Sequence, residues 1–331
     1  MREMLSRKTI SLKTEVNFKE YPFRLNHHSG IITMGSCFSE VVGEFLSNRK
    51  FEVLSNPFGT VYNLYSIVNL WKHALGAKPL SDKHFVEKDG LFFHYDLHSS
   101  FYGVSKEDLW DKINLAAATF LEHLKGADLM ILTFGTSYVY TFEEEIVNNC
   151  QKQPAKLFQK RLLSLQEQIS VFEEGFHLIR TVTPDIQFLI SVSPVRHIKD
   201  GVVENSLSKS LLRVLCDLIS SSQVHYFPAY EVMLDELRDY RYYKEDLIHP
   251  STQAEHFICS LFMECLVEDN AKKISENWSK IIQGIQHRPL QPGSESHIAF
   301  LNNLLKKIET FRPYFDVTKE WEEVKAELPN A

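Results

Sequence analysis

The sequence predicts an α/β protein built around a mostly parallel sheet. Several short apolar runs end in Gly, Ser or Pro, and helical periodicity follows them, which is the pattern of strand-then-helix units. The most apolar run, residues 128–134, has the composition of a buried central strand. With 331 residues and 44% hydrophobic content, the chain can bury a sizeable core, and we expect one large domain with additions.

The elements of this sheet follow from the pattern in chain order. The first strand leads at Gly35 into a helix. A long covering helix is expected over residues 157–182, and another over residues 207–219, where apolar residues recur at spacings of three and four. The predicted strands are residues 30–34, 51–54, 128–134, 187–192 and 224–227.

Two segments depart from the alternation of strands and helices, and they predict additions to the core fold. Within residues 80–102, Asp89 and Gly90 separate two short apolar runs, which is typical of a small β-hairpin. Residues 270–331 are rich in Lys, Glu and Asn and have helical patterns. We therefore expect a main domain over residues 1–269 and a helical extension over residues 270–331.

Composition limits the classes of partner and compartment. The chain has 36 basic and 43 acidic residues, a formal net charge of −7, and neither sign forms a long block, which argues against a nucleic-acid partner. The five cysteines are scattered and form no disulfide framework, which fits a reducing compartment. Residues 1–18 lack the apolar core of a signal peptide, and no run approaches the roughly 20 apolar residues that span a bilayer. We expect a soluble cytoplasmic protein with no membrane partner, and the sequence leaves its oligomeric state open.

Two motifs far apart in the chain carry candidate chemistry. In residues 246–251 (DLIHPS), Asp246 precedes His249 by three positions, so the carboxylate can bind Nδ1 and leave Nε2 to take a proton from a nucleophile. Residues 35–39 (GSCFS) follow the first strand, where a nucleophile on a strand-to-helix turn would lie. A helix N-cap is the alternative for the first motif, because Asp, Pro and Ser suit a loop that enters a helix near Thr252.

In this order, and together with residues 135–137 (GTS) at the end of a strand, the motifs resemble those of the SGNH/GDSL hydrolase superfamily. Residues 35–39 resemble more closely the signature of the GSCFA-domain proteins, a bacterial branch of that superfamily. The resemblance extends over about residues 31–262 and includes residues 56–63 (NPFGTVYN), 193–197 (SPVRH) and 235–241 (DELRDYR).

The resemblance implies both a fold and two catalytic roles. The fold would be a three-layer α/β/α sandwich whose site lies at the carboxyl ends of the strands. His249 would be the general base and then the general acid, and Asp246 would orient its ring.

The nucleophile has two candidates. Superfamily members usually read Gly-Asp-Ser where this chain reads Gly35-Ser36-Cys37. If the glycines align, Cys37 takes the place of the attacking serine, and a thiol can work there with a histidine base. In the other register Ser36 attacks and Cys37 packs beneath the turn as a small buried hydrophobe. We favour Cys37.

The oxyanion hole of the superfamily uses the amide of the nucleophile, a glycine amide and an Asn side chain. The resemblance implies Gly59 as the glycine, and the alternative is a turn glycine after Pro57. Residues 135–137 stand where Gly-x-Asn is usual, so Gly135 is retained but the amide donor is missing. The hydroxyl of Ser137 is the candidate replacement.

Arg196 and His197 follow the fourth predicted strand, at the edge where a substrate would lie. The planar fork of an arginine could bind a carboxylate, a phosphate or a sugar hydroxyl, and a surface ion pair or a helix-end charge is the alternative. His94 and His98 have no third ligand at a fitting spacing, so we expect neither a metal nor another cofactor.

Together these features predict a hydrolase of an acyl ester, such as an O-acetyl group on a carbohydrate or a small metabolite. The reaction would pass through an acyl-enzyme at Cys37 or Ser36. Two alternatives stay open: transfer of the acyl group to an acceptor other than water, and a ligand-binding protein that keeps the fold without turnover. The missing Asn motivates the second of these.

Overall fold

The computed structural model describes residues 13–328, apart from the side chain of Asp200. The expectation about a signal peptide concerns residues that lie mostly outside this range. The strands are β1 (Gly30–Gly35), β2 (Val53–Ser55), β3 (Phe85–Lys88), β4 (Leu91–His94), β5 (Ala127–Phe134), β6 (Tyr138–Phe142), β7 (Glu145–Val147), β8 (Gln159–Leu162), β9 (Gln187–Val192) and β10 (Val224–Tyr226).

The helices alternate with the strands of the main sheet and then follow one another near the C-terminus. They are α1 (Cys37–Ser47), α2 (Leu64–Ala74), α3 (Lys106–Lys125), α4 (Leu165–Arg180), α5 (Val202–Leu218), α6 (Ala229–Glu231), α7 (Thr252–Leu266), α8 (Asp269–Ile285), α9 (Glu295–Glu309) and α10 (Thr318–Ala326). No helix in the described part of the chain is long and apolar enough to cross a membrane.

The main sheet has the strand order β10-β9-β5-β1-β2, and all its neighbouring strands are parallel. The five predicted strands are these five, so the predicted parallel sheet is confirmed. The second strand begins at Val53 rather than at residue 51. Since parallel strands end at one edge, the loops after β1, β2, β5, β9 and β10 gather there.

Helices cover both faces of this sheet, which confirms the three-layer sandwich. Met130 and Leu132 of β5 pack into a core shared with α2, α3, α4 and α5. Their neighbours Leu129 and Ile131 pack into a second core, shared with α1 and α7. The two-residue period of a strand thus supplies apolar side chains to both layers.

The predicted hairpin is also confirmed. Strands β3 and β4 are antiparallel and pair Lys88 with Leu91. Asp89 and Gly90 lie between them with φ of 53° and 76°, and a two-residue hairpin turn of this kind needs positive φ at both positions.

The long helix predicted over residues 157–182 is wrong in its first third. Gln159–Leu162 forms β8, which joins β6 and β7 in a three-stranded antiparallel sheet that the sequence pattern did not predict. The helix begins at Leu165, because Ser164 and Glu167 form a capping box that fixes its first turn.

Helices α8, α9 and α10 confirm the predicted helical extension. They enclose a core of their own around Trp278, Leu301 and Ile308. Lys50 at the end of the loop after α1 forms an ion pair with Glu320 of α10 at 2.8 Å, so the extension contacts the main sandwich.

Gly43 sets the distance between α1 and the sheet. A Cβ at this position would lie 2.6 Å from the Ser55 Cβ, so Gly43→Ala should push the helix away and lower the free energy of unfolding by about 1–3 kcal/mol. Urea unfolding measures this change. Gly126→Ala is the matched control, since a Cβ there meets nothing within 4 Å; equal losses in both variants would contradict the packing argument.

Candidate active site

The turn after β1 is held tightly against β5. Gly35 has φ of +135°, and a Cβ on it would lie 2.9 Å from the Thr133 carbonyl carbon, so a side chain at this position would clash. The next amide, that of Ser36, donates to the Thr133 carbonyl oxygen at 3.0 Å. These contacts fix the start of α1 at Cys37.

Ser36 and Cys37 differ in what they face. Ser36 is fully buried; its Oγ lies 3.0 Å from Thr133 Oγ1 and accepts a hydrogen bond from the Phe38 amide at 3.3 Å as the N-cap of α1. Cys37 is half-buried. The structure therefore gives Ser36 a structural role in the turn and leaves Cys37 as the accessible nucleophile candidate at the first position of the helix.

The electrostatic surroundings of Cys37 hold it as a thiol. Burial raises the pKa of Cys37 above its ordinary value, and the Glu40 carboxylate acts in the same direction. The Cys37 backbone N–H and the charges of Lys209 and Lys244 lower this pKa, but by less. A thiolate at this position therefore requires a base or a substrate-induced change.

Asp246 binds His249 in the way that the motif predicts. Its Oδ2 lies 2.7 Å from His249 Nδ1, and its Oδ1 accepts from the amides of Ile248 and His249 at 2.9 and 3.0 Å. The hydrogen bond from the His249 ring, with these two amide bonds, lowers the pKa of Asp246 to about 2. With Nδ1 bound to the carboxylate, Nε2 is the nitrogen that can exchange a proton with a nucleophile.

The helix-cap alternative for residues 246–251 holds at Ser251. This residue is the N-cap of α7, and its Oγ accepts from the Ala254 amide at 3.3 Å. Asp246 does not cap the helix and binds His249 instead, so the cap and the Asp246–His249 pair lie in one short loop.

Arg196 fastens this loop to the end of β9. Its amide donates to the Ile248 carbonyl oxygen at 3.1 Å, and its Nη1 donates to the Leu247 carbonyl oxygen at 3.1 Å. The guanidinium also lies 5.3 Å from the centre of the Tyr243 ring. The predicted substrate-binding arginine is therefore a residue that positions the histidine loop.

Lys244 belongs to the histidine loop. Its amide donates to the His249 carbonyl oxygen at 2.8 Å, and its Nζ forms an ion pair with Glu255 at 2.9 Å. Cys37 and Ile248 pack against the same apolar core. Since Cys37 follows β1 and the loop of His249 is bound to Arg196 after β9, the two predicted motifs lie at one edge of the sheet.

The three predicted oxyanion residues have other partners. The Gly59 amide donates to the Asn56 carbonyl oxygen at 2.8 Å, as a turn glycine with φ of +73°. The Gly135 amide donates to the Tyr62 carbonyl oxygen at 2.9 Å. Ser137 is fully buried, and its hydroxyl lies 3.2 Å from both Gln168 Oε1 and the Ser208 carbonyl oxygen. In this structure all three donors hydrogen-bond within the fold, so a role in an oxyanion hole would require these bonds to rearrange.

Because Gly135 has no side chain, the Tyr62 carbonyl group and the His197 ring can lie close to its backbone. A Cβ on it would lie 2.9 Å from the Tyr62 carbonyl oxygen and 3.0 Å from His197 Nε2. The rings of Tyr62 and His197 meet edge to face with centres 5.6 Å apart, and the His197 amide donates to Asn205 Oδ1 at 2.8 Å. Both rings line a cavity of about 530 Å³ beside the candidate nucleophile turn.

Sequence reasoning missed Lys209, which lies on the buried face of α5. Its side chain is only 1% exposed, and Nζ donates to the Ser193 carbonyl oxygen at 2.8 Å. Burial lowers the pKa of Lys209 to about 7. The sequence does contain a signal for this residue. Lys209 has the helical spacing of the buried face, between Asn205 and Leu212, and lysine is almost never fully buried unless it is paired.

Glu40 was also missed, although it lies one helical turn after Cys37. Its Oε1 accepts from Thr60 Oγ1 at 2.7 Å and from Asn56 Nδ2 at 3.3 Å. The Asn56 Oδ1 in turn accepts from the Gly35 amide at 3.0 Å. This network ties the loop after β2 to the nucleophile turn.

The two histidines considered for a metal have ordinary partners. His94 is buried, its Nε2 donates to the Ser81 carbonyl oxygen at 3.1 Å, and burial lowers its pKa to about 4. His98 Nδ1 lies 3.0 Å from Ser100 Oγ. Over residues 13–328, no group of three or more His, Cys, Asp or Glu is arranged to hold a metal ion.

The chain belongs to the GSCFA family, because the model of that family matches residues 30–262. A second model, described as the GSCFA domain protein, C-terminal domain, matches residues 278–330. The first match includes both motifs of the site, and the second includes α9, α10 and about the last half of α8. A search of curated proteins found no significant match.

Solved structures give distant likenesses. A carbohydrate esterase family 3 from Talaromyces cellulolyticus has 8% identity and a TM-score of 0.34, with 76% of this chain and 99% of that chain covered. The lipase Lip_vut3 from a goat rumen metagenome has 12% identity and a TM-score of 0.32, with 71% and 96% covered. At these TM-scores neither likeness bears on the activity of this chain.

The role of Arg196 can be tested by hydrogen exchange. We expect Arg196→Gln to speed amide exchange at Leu247 and His249, because the side-chain bond to the Leu247 carbonyl is lost. Hydrogen–deuterium exchange mass spectrometry of the peptide over residues 244–251 measures this rate. Arg238→Gln, which removes an exposed ion pair with Asp235, should leave it unchanged; unchanged exchange in both variants would show that Arg196 does not hold the loop.

Proposed function

We propose that this protein hydrolyses an acyl ester through a thioester at Cys37, with His249 as the general base and acid and Asp246 as the residue that orients it. The observation that carries the proposal is the placement of a half-buried thiol at the start of α1 on the same sheet edge as the Asp246–His249 pair. We also propose that the protein is related to esterases and that its substrate is an O-acetylated carbohydrate.

The reaction would proceed in two balanced steps. His249 Nε2 takes the proton from Cys37 Sγ while the sulfur attacks the ester carbonyl; the C–O bond then breaks and Nε2 gives the proton to the leaving alcohol. A water molecule next loses a proton to Nε2 and attacks the thioester. The acid is released, and the proton returns to the Cys37 sulfur.

The raised pKa of Cys37 bears on how this attack is activated. Since the resting group is a thiol, the proton must leave during the attack rather than before it. The Asp246 carboxylate, whose pKa is lowered to about 2, stays charged throughout the neutral range and stabilises the imidazolium that forms.

We assign to Lys209 and the Cys37 amide the stabilisation of the negative charge that develops on the ester oxygen during the reaction. The Cys37 N–H lies at the start of α1, where the helix dipole favours an anion. Lys209, whose pKa burial lowers to about 7, is charged in part of the molecules near neutral pH, and that charge favours the Cys37 thiolate. A buried cation there would take the place of the Asn donor that the superfamily pattern leads one to expect.

Substitution of the two nucleophile candidates tests the proposal. With p-nitrophenyl acetate as substrate, Cys37→Ala and His249→Ala should each lower kcat by about 10²–10⁴-fold. Ser36→Ala should keep most of its turnover and lose stability, because its hydroxyl binds Thr133. Full turnover by Cys37→Ala would contradict the proposal and favour a different nucleophile, whereas no turnover by the unaltered chain would favour a ligand-binding protein.

The role of Lys209 can be tested by the pH dependence of turnover. With a pKa of about 7, Lys209 is a cation below neutral pH and is neutral at higher pH, so its charge can stabilise an anion only at the lower pH. With p-nitrophenyl acetate as substrate, Lys209→Met should therefore lower kcat, relative to the unaltered chain, by about tenfold or more near pH 6 and by much less near pH 8.5. Steady-state kinetics over a pH series measure both ratios.

Lys280→Met, which replaces an exposed lysine of α8, is the control and should leave kcat unchanged at both pH values. Replacement of a buried charge by an apolar residue of similar size should not unfold the protein. An equal loss at both pH values, or no loss at either, would assign Lys209 a purely structural contact with Ser193.

A further inference from the structure

The cavity beside the nucleophile turn is lined by residues from two parts of the fold. Tyr62 and His197, which pack around Gly135, come from loops at the edge of the main sheet. Tyr138 and Tyr140 come from β6 of the three-stranded sheet. The volume of about 530 Å³ lies within the range of small-molecule sites, roughly 300–1,000 Å³.

The cavity lies close to the nucleophile turn. Tyr62 and Thr136 line it, and Gly135, whose amide binds the Tyr62 carbonyl oxygen, packs against Ser36: a Cβ on Gly135 would lie 3.5 Å from the Ser36 Cβ. Cys37 itself does not line the cavity, so a molecule bound there would lie beside the turn that carries the sulfur rather than on the sulfur.

The walls of the cavity carry three lysines. Lys160 of β8 has its Nζ 4.5 Å from the centre of the Tyr138 ring and 5.6 Å from that of Tyr140. Lys152 and Lys199 lie on the exposed rim. Several cations around one concave site raise the local concentration of anions and orient them.

Aromatic rings and amides complete the lining. Phe158 adds a third ring beside Tyr138 and Tyr140, and Asn149 and Gln153 supply amide groups that can both donate and accept hydrogen bonds. Flat apolar faces with a few amides suit a ring that bears several hydroxyls, and the lysines suit a negative group on that ring.

We propose that this cavity binds an anionic sugar, a ring that bears a carboxylate or a phosphate, and thereby selects the alcohol part of the ester. The inference rests on the proposed function, because it assigns the cavity to the alcohol part of the substrate of that reaction, but the binding itself does not require turnover. The three-stranded sheet of β6, β7 and β8 would then be the specificity element of the fold.

Cys150 provides a reporter for occupancy, because it is half-buried and lines the same cavity. The experiment uses the full chain with Cys37→Ala, which removes turnover and the other thiol near the site. N-ethylmaleimide modification of Cys150 is followed by peptide mass spectrometry at increasing concentrations of three probes. The probes are methyl glucuronoside, glucose 6-phosphate and the neutral methyl glucoside.

We expect at least one of the two anionic sugars to protect Cys150 at concentrations about tenfold or more below those of methyl glucoside, and added salt to weaken this protection. The comparison of glucuronoside with the phosphate distinguishes a carboxylate site from a phosphate site. Lys160→Met should weaken protection by the anionic sugars, whereas Lys125→Met, an exposed lysine paired with Glu122 at the other edge of the sheet, should not.

Equal protection by the neutral sugar, protection that survives in Lys160→Met, or no protection by any probe would each overturn the proposal. These outcomes are separate from those of the esterase assay. If the protein turns over p-nitrophenyl acetate but no probe protects Cys150, the proposed function stands and this inference is wrong. If a probe protects Cys150 but the protein has no esterase activity, the binding site stands and the proposed function is wrong.

Discussion

The contact between the Gly35–Ser36 turn and Thr133 is the constraint on which the site depends. A side chain at Gly35 would clash with the β5 backbone, and the Ser36 amide and hydroxyl both bind Thr133. Thr133 Oγ1 also lies 2.6 Å from Ser39 Oγ, so one buried threonine holds the turn and the first turn of α1 together. Because this anchor uses the Ser36 hydroxyl, it makes Cys37 the accessible side chain at the edge of the sheet.

Two opposing electrostatic effects act on that side chain. Burial and Glu40 raise the pKa of Cys37, while Lys209, Lys244 and its own amide lower it. Burial prevails, so Cys37 is held as a thiol. In the mechanism that we propose, His249 therefore has to remove the proton during the attack, and the thiol is less open to oxidation than a free thiolate would be.

The sequence allowed the sheet and the two motifs to be predicted because each depends on local patterns. Apolar runs that end in Gly or Ser mark β1, β5 and β9, and Asp246 is only three residues from His249. The residues of β8 were predicted as part of a helix because Ser164 was not recognised as the N-cap at which that helix begins. The burial of Lys209 and the engaged amide of Gly59 depend on contacts with Ser193 and Asn56, and the use of the Ser137 hydroxyl depends on Gln168 and Ser208. Residue types alone do not specify such contacts.

The most direct measurement is a search for the acyl-enzyme itself. The protein would be mixed with p-nitrophenyl acetate, quenched in acid within the first turnover, and digested for peptide mass spectrometry. The account predicts a peptide with Cys37 that carries one acetyl group, and the loss of this label in His249→Ala. Acetylation of Ser36 in its place, or an unlabelled Cys37 in a protein that turns over the ester, would contradict it.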